Sequence, residues 1–226
     1  MSWHASIVLG MLQNEKFKGD SLLQKTYTVD FLEKKTAKNT GQIEQYYVTG
    51  SHPAIIDDET WEAVQLEIKR RELFMTEHGL TKYGYSGCPS PYTSKLFCGE
   101  CGCGFNRHVW SGRGVCIWQC RDSAHAKGGS CHARRVEERV LDRAFVISWN
   151  SIVQNREKHM AKWEKEIQEG NPLSRLRAKQ MIDLTAEGPI TKHIPELTRM
   201  VLESITVNAE TITVRFLDGS NINVSV

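Results

Sequence analysis

No cysteine occurs before residue 88 or after residue 131 of this 226-residue chain. All seven (Cys88, Cys98, Cys101, Cys103, Cys116, Cys120 and Cys131) fall in one stretch. A disulfide framework needs an even count and an oxidising compartment, so an odd, clustered set points to metal instead. Long apolar runs are also missing. None reaches the roughly 18 residues that a membrane span requires. Met1-Ser2-Trp3-His4 lacks the cationic and then apolar pattern of a secretory leader. The expected compartment is the cytoplasm. Strong net charge is absent too: 29 basic side chains face 27 acidic ones, for +2. That balance alone says little about partners, but its distribution says more. Residues 95–135 carry 7 basic and 2 acidic side chains, while the flanking segments are slightly acidic. A zinc ion on four thiolates would add −2 there, leaving a modest basic patch.

What is present divides the chain. Residues 4–13 have Ile7, Val8, Met11 and Leu12 at helical spacing, with an extended exit at Phe17-Lys18-Gly19. Residues 27–31 and 44–48 have strand composition, and the polar basic stretch 34–41 between them reads as a loop. Asp57 or Asp58 can cap a helix running to about Phe74, with Trp61, Val64 and Ile68 on its buried face. Residues 75–93, rich in Gly, Ser, Pro and Tyr, read as a linker between a domain at 1–74 and another at 94–226. In the second domain, residues 115–120 alternate like a strand. From Val136 the pattern is helical, with Val136, Val140, Ala144 and Ile147 on one ridge and Leu141, Phe145 and Ile152 on another. Gly170-Asn171-Pro172 breaks that helix, a second spans about 173–185, and a short third starts at Pro195. This makes a helical insert at about 136–203. Asp218-Gly219 between alternating segments marks a closing β-hairpin. The fold class expected is α+β.

Cys98-Gly99-Glu100-Cys101-Gly102 is a zinc-knuckle sequence: two thiolates three positions apart grip one ion when the backbone between them turns tightly. A second pair must complete the tetrahedron. Cys120 and Cys131 are the choice, with Cys103, Cys116, His108, His125 and His132 as competitors. Cys103 and Cys116 read better as small buried apolar residues, and Cys88 as a free thiol. Four thiolates leave no open position, so the zinc expected here is structural.

Several stretches resemble the large serine recombinases. Trp3, Ile7-Val8, Met11-Leu12, Asn14, Phe17 and Gly19 are similar to that family's recombinase domain, as are His52-Pro53-Ala54-Ile55-Ile56-Asp57, Trp61 and Val64. Leu96 to Gly102, with Cys120 and Cys131, resembles its zinc β-ribbon, and Phe216 to Ser220 fits its closing hairpin. The resemblance implies a partial recombinase domain followed by a zinc β-ribbon with a helical hairpin insert. It also implies a parent protein that cuts and rejoins DNA at attachment sites through a serine nucleophile. No motif of the catalytic domain surrounds Ser2, Ser6 or Ser21, so this polypeptide is expected to bind DNA without cleaving it. The helical insert lacks the sustained heptads of a coiled coil.

Such a protein holds duplex DNA mainly through phosphate contacts from Lys and Arg. The candidates are Arg107, His108, Trp110 and Arg113 near the ribbon tip, with Arg121, Lys127, Arg134 and Arg135 beside it. Lys16 and Lys18, with His4 and Lys25, are those in the first domain. Other recombinase protomers are the expected protein partners. Two further classes compete: a zinc-ribbon module that binds protein, and a hydrolase using His52 with Asp57 or Asp58.

Overall fold

The computed structural model describes residues 4–81, 90–110, 114–123 and 128–225. It contains two compact units, Met1–Ile68 and Lys69–Val226. No helix among the described residues is long and apolar enough to cross a membrane.

The first unit opens with helix α1 (Ala5–Leu12), whose Ile7, Val8, Leu9, Met11 and Leu12 are all exposed. The expected extended exit is instead a 3₁₀ turn, Glu15–Lys18. Asn14 explains the difference: its side chain accepts the Lys16 N–H at 3.3 Å. Gly19 then leaves the turn at φ +92°, where a Cβ would sit 2.6 Å from the His52 carbonyl oxygen. Only glycine fits that approach. Two short antiparallel sheets follow, β1 (Ser21–Leu23) with β4 (Tyr46–Val48), and β2 (Thr26–Asp30) with β3 (Lys35–Lys38). The stretch expected as a loop therefore contains a strand. Its polar composition hides it because the β2–β3 ribbon is exposed along most of both strands. Helix α2 (Asp58–Glu77) starts where Asp57 accepts the Thr60 N–H at 2.8 Å, satisfying one free donor of the first turn. Trp61 and Ala63 are buried, Val64 and Ile68 half-buried.

In the second unit a four-stranded sheet has the order β11 (Asn221–Ser225), β10 (Thr211–Phe216), β9 (Leu202–Val207), β5 (Leu96–Cys98). The closing hairpin is thus part of a larger sheet. Strand β5 lies parallel to β9, pairing Leu96 with Ile205 and Cys98 with Val207. A second sheet holds β6 (Phe105–Trp110), β7 (Val115–Cys120) and β8 (Val136–Glu137). Helix α3 (Glu138–Gln154) buries Leu141, Ala144, Phe145, Ser148, Trp149 and Ile152. Phe145 and Trp149 reach Phe216 of β10, with ring centroids 6.0 and 6.2 Å apart. Ile147, placed on a buried ridge by its spacing, is 47% exposed, because one helical face covers the sheet and Ile147 lies off it. Helix α4 (Arg156–Glu169) is separate from α3. The helix is interrupted at Asn155, whose side chain donates to the Ser151 carbonyl at 2.8 Å. Helix α5 (Pro172–Ala186) starts at Pro172, with Asn171 accepting the Ser174 N–H, and packs antiparallel to α4 around Trp163, Ala178 and Met181. Helix α6 (Pro195–Val201) leads into β9. The stretch read as a linker is helical through Glu77 at one end. At the other, Tyr92 is fully buried and donates its hydroxyl to Asp142 at 2.8 Å.

Candidate metal centre

The knuckle begins where β5 ends. Gly102, at φ +73°, donates its N–H to the Cys98 carbonyl at 2.9 Å, and Cys98 donates to Cys103 at 2.9 Å. The residues between Cys98 and Gly102 are thereby curled into a tight turn. Gly99 donates to Val207 at 2.8 Å, which anchors the knuckle to the sheet. Cys120 arrives from the end of β7, opposite Phe105 of β6. Cys131 is delivered by a loop whose N–H at Cys131 donates to the Asp122 carbonyl at 2.7 Å.

These three pieces bring the Sγ atoms of Cys98, Cys101, Cys120 and Cys131 within 4.8 Å of one another. Cys98 and Cys131 are 3.7 Å apart, Cys101 and Cys120 3.4 Å. A tetrahedral zinc site with bonds of about 2.3 Å has sulfur–sulfur edges of about 3.8 Å, so the donor set fits the ion. Three of the four cysteines are buried and Cys101 is exposed.

The protonation chemistry fits as well. Burial pushes the Cys120 thiol far above its ordinary range, with the neighbouring Cys101 thiol acting in the same direction. At Cys131 the Ala133 N–H pulls the thiol down, but burial and the thiols of Cys101 and Cys98 outweigh it and raise it to about 11. Burial also raises Cys98, yet N–H groups of Cys101 and Glu100 win and hold it below the usual value. A divalent cation supplies the positive charge that four adjacent thiolates need. The competitors are placed elsewhere. Cys103 packs against the core, Cys116 accepts from the Arg107 guanidinium at 2.9 Å, and His108 and His132 are exposed. His125 and Cys88 lie outside the described residues.

Residues 1–71 match the family model described as Recombinase, and residues 82–149 match that described as Recombinase zinc beta ribbon domain. The chain belongs to the recombinase family. A solved structure titled "Crystal Structure of a LSR-DNA Complex" is similar to this chain at 14% identity and a TM-score of 0.43, covering 96% of this chain and 77% of that one. No curated protein matches the chain.

The basic residues of this chain divide by environment. Arg107 points inward: its Nε donates to Glu138 at 2.6 Å and its Nη2 to Cys116, and the side chain is 20% exposed. Trp118 donates to the same Glu138 oxygen at 3.1 Å, so the pair fastens the ribbon to the start of α3. His108 and Arg121 are exposed and line one cleft of about 690 Å³ together with Asn106, which sequence reasoning missed. Asn106 and His108 lie two positions apart on β6, so strand alternation places them on one face, a signal that a reading by charge alone passes over. Among the described residues, Arg134 has two guanidinium nitrogens buried without a partner, and Arg135 is exposed. Arg113, Lys127 and Trp3 lie outside the described residues, as does the side chain of Trp110.

In the first unit Lys16 is exposed, whereas Lys18 is paired with Asp20 at 2.9 Å and is 21% exposed. The Tyr47 hydroxyl, followed by Lys18 and the Gly50 N–H, holds the Asp20 carboxyl at about 2. His52 braces the backbone, its Nε2 donating to the Lys16 carbonyl at 2.7 Å and its Nδ1 bonded to Ser51 at 2.8 Å. With Asp57 occupied as a helix cap, the hydrolase reading keeps only Asp58, which is 79% exposed and 4.0 Å from Lys18.

Proposed function

We propose that this chain is the DNA-binding region of a site-specific serine recombinase, recognising attachment-site half-sites during integration, excision or inversion. The observation that carries the reading is the cysteine quartet. Cys98, Cys101, Cys120 and Cys131 would hold one structural zinc, joining the knuckle, the ribbon and the Cys131 loop. In so small a module, metal-binding free energy is folding free energy. The ion would thus fix the face where Asn106, His108 and Arg121 meet.

Arg113 and Lys127 extend the proposed contact surface, and Lys16 adds a phosphate contact in the first unit. Arg107 and Lys18 act chiefly by orienting their surroundings, because carboxylates already hold them. The division proposed is a recombinase segment at 1–74 and a zinc-ribbon domain at 94–226. The proposed partners are duplex DNA and further recombinase protomers. The strand-exchange chemistry belongs to a serine domain of the parent protein, and this polypeptide binds without cutting.

Elemental analysis and a mobility-shift assay over a range of salt test the reading together. One zinc per chain is expected, with the logarithm of affinity falling linearly with the logarithm of salt concentration. A metal-free chain with an ordered ribbon, or duplex affinity indifferent to salt, overturns it. Salt-independent capture of a protein by the ribbon would assign the module to protein interaction instead.

A further inference from the structure

The β2–β3 ribbon has features that neither a core nor the metal centre explains. Phe31 and Leu32 stand at its tip, 88% and 92% exposed. Turn positions usually carry small polar residues. The tip is nevertheless ordered: the Asp30 carboxylate accepts the Leu32 N–H at 2.7 Å and the Glu33 N–H at 3.1 Å. Lys34 follows at φ +52°, a conformation unfavourable for a long side chain.

The base of the ribbon is clamped as well. The Asn39 side chain, buried, donates to the Gln24 carbonyl at 2.9 Å and the Ile43 carbonyl at 2.6 Å, and its N–H donates to Lys25 at 2.8 Å. Glu15 accepts from the Leu22 N–H and pairs with Lys25. An isolated two-stranded ribbon is marginal in water. Here polar clamps at both ends hold up a ribbon that buries little of itself.

The charge beside the tip indicates the partner. Lys34, Lys35 and Lys38 are exposed, and none is in an ion pair among the described residues. Asp30 is turned onto backbone N–H groups, which leaves Glu33 as the exposed acid of the turn. An apolar tip alone suits any apolar surface, but three unpaired lysines next to it favour a polyanion. We propose that the β2–β3 ribbon is a second DNA-contacting arm, its tip inserting Phe31 and Leu32 as a wedge between base steps while the lysines hold flanking phosphates. DNA grooves admit a two-stranded ribbon, and apolar wedges unstack and kink the duplex. The inference rests on the DNA-binding reading above.

The test uses the full chain and a duplex that it selects from a random pool. Affinity is measured across salt concentrations, and the bend angle by mobility of circularly permuted fragments. The F31S/L32S double variant should keep the wild-type circular dichroism and melting, because both side chains are exposed. It should bind about tenfold more weakly or worse, the order of one lost base stack. Its complex should be straighter by about 20° or more, with the salt slope unchanged. The K34Q/K35Q/K38Q variant should instead show a salt slope shallower by about 2–3. Wild-type binding and bending by F31S/L32S would overturn the wedge while leaving the DNA-binding reading intact. Loss of self-association in light scattering, with DNA binding unchanged, would assign the tip to a protein contact and overturn it equally. A wild-type chain that binds no duplex would overturn the functional reading itself.

Discussion

Trp163 donates its indole N–H to the Asp218 carboxylate at 2.8 Å, and this bond helps pin the α4–α5 hairpin to the turn that joins β10 and β11. Lys162 adds a bond to the Asp218 carbonyl at 2.6 Å, and Ser220 donates to the carboxylate from within the turn. Burial by itself would raise the Asp218 carboxyl. The bonds from Trp163 and Ser220, with the Lys162 charge, outweigh it and hold the group below its ordinary value. A carboxyl depressed in the folded state stabilises the fold above its unfolded pKa of about 3.9 and loses that contribution as pH falls through the folded value. Melting midpoints of the wild type should therefore drop more steeply below about pH 4 than those of Asp218→Asn. At neutral pH, Trp163→Phe should cost about 1–3 kcal/mol, the range for a hydrogen bond to a buried charge. Parallel pH profiles for wild type and Asp218→Asn would reject this assignment.

The metal centre yields a sharper test, because the six cysteines from Cys98 to Cys131 are predicted to behave in two classes. Cys98→Ser, Cys120→Ser or Cys131→Ser should abolish zinc binding and remove stabilisation on the order of 10 kcal/mol from the ribbon. Cys101→Ser should do the same although Cys101 is exposed, since its sulfur belongs to the quartet. Cys103→Ser and Cys116→Ser should each retain one zinc per chain. Chelation of the wild type should reproduce the first class. Zinc loss in Cys116→Ser would show that the quartet has been drawn wrongly.

Arg107 and Arg121 are both basic residues of the ribbon, yet their variants should fail in different assays. Arg107→Ala leaves Glu138, among the described residues, with the Trp118 indole at 3.1 Å as its hydrogen-bond donor, and should lower stability by about 1.5–3 kcal/mol. Its effect on DNA should follow from that loss, with the salt slope unchanged. Arg121→Ala should leave the melting temperature intact and make the salt slope shallower by about 1, the signature of one phosphate contact. A lower melting temperature in Arg121→Ala with an unchanged salt slope would exclude the contact.

These contrasts show where a sequence stops informing. The Cys98–Cys101 knuckle is legible because its spacing is a local pattern, whereas the choice of Cys120 and Cys131 over five competitors needs the fold that brings the four sulfurs together. The β10–β11 turn is legible for the same reason, through Asp218-Gly219. The parallel pairing of β5 with β9 is not, because it joins residues more than a hundred positions apart and leaves no periodic trace. Nor is the role of Arg107: only the β6–α3 geometry turns a basic side chain near a hairpin tip into an inward ion pair. Strand β3 is hidden for the opposite reason. A ribbon exposed on both faces has no burial pattern to read. Tyr92 reads as linker because its neighbours are turn formers, although the residue itself is fully buried.

That burial sets up the remaining prediction. Tyr92 donates to Asp142 at 2.8 Å and lies 3.0 Å from the His193 Nε2, while the His193 Nδ1 is 3.1 Å from Asp142 and Thr198 completes the group at 2.8 Å. The cluster joins the segment before β5, helix α3 and the start of α6. Burial lowers the His193 pKa, and the attraction of Asp142, Glu138 and Glu196 does not fully restore it. The folded state therefore favours the neutral ring. Stability is fully present above the unfolded histidine value of about 6.5 and falls as protons are taken up below it. His159, stacked on Trp163 and also lowered first by burial, adds to the same trend. The wild type should thus lose stability between about pH 7 and pH 5, well above the range in which Asp218 titrates. His193→Gln should flatten this upper limb and leave the lower one in place. Tyr92→Phe should cost about 1–3 kcal/mol at neutral pH by removing the donor to Asp142. A wild-type profile flat down to pH 5 would mean that folding does not shift the imidazole, and stability rising as pH falls would mean that the ring is charged in the fold; either would reject the neutral state assigned to the cluster.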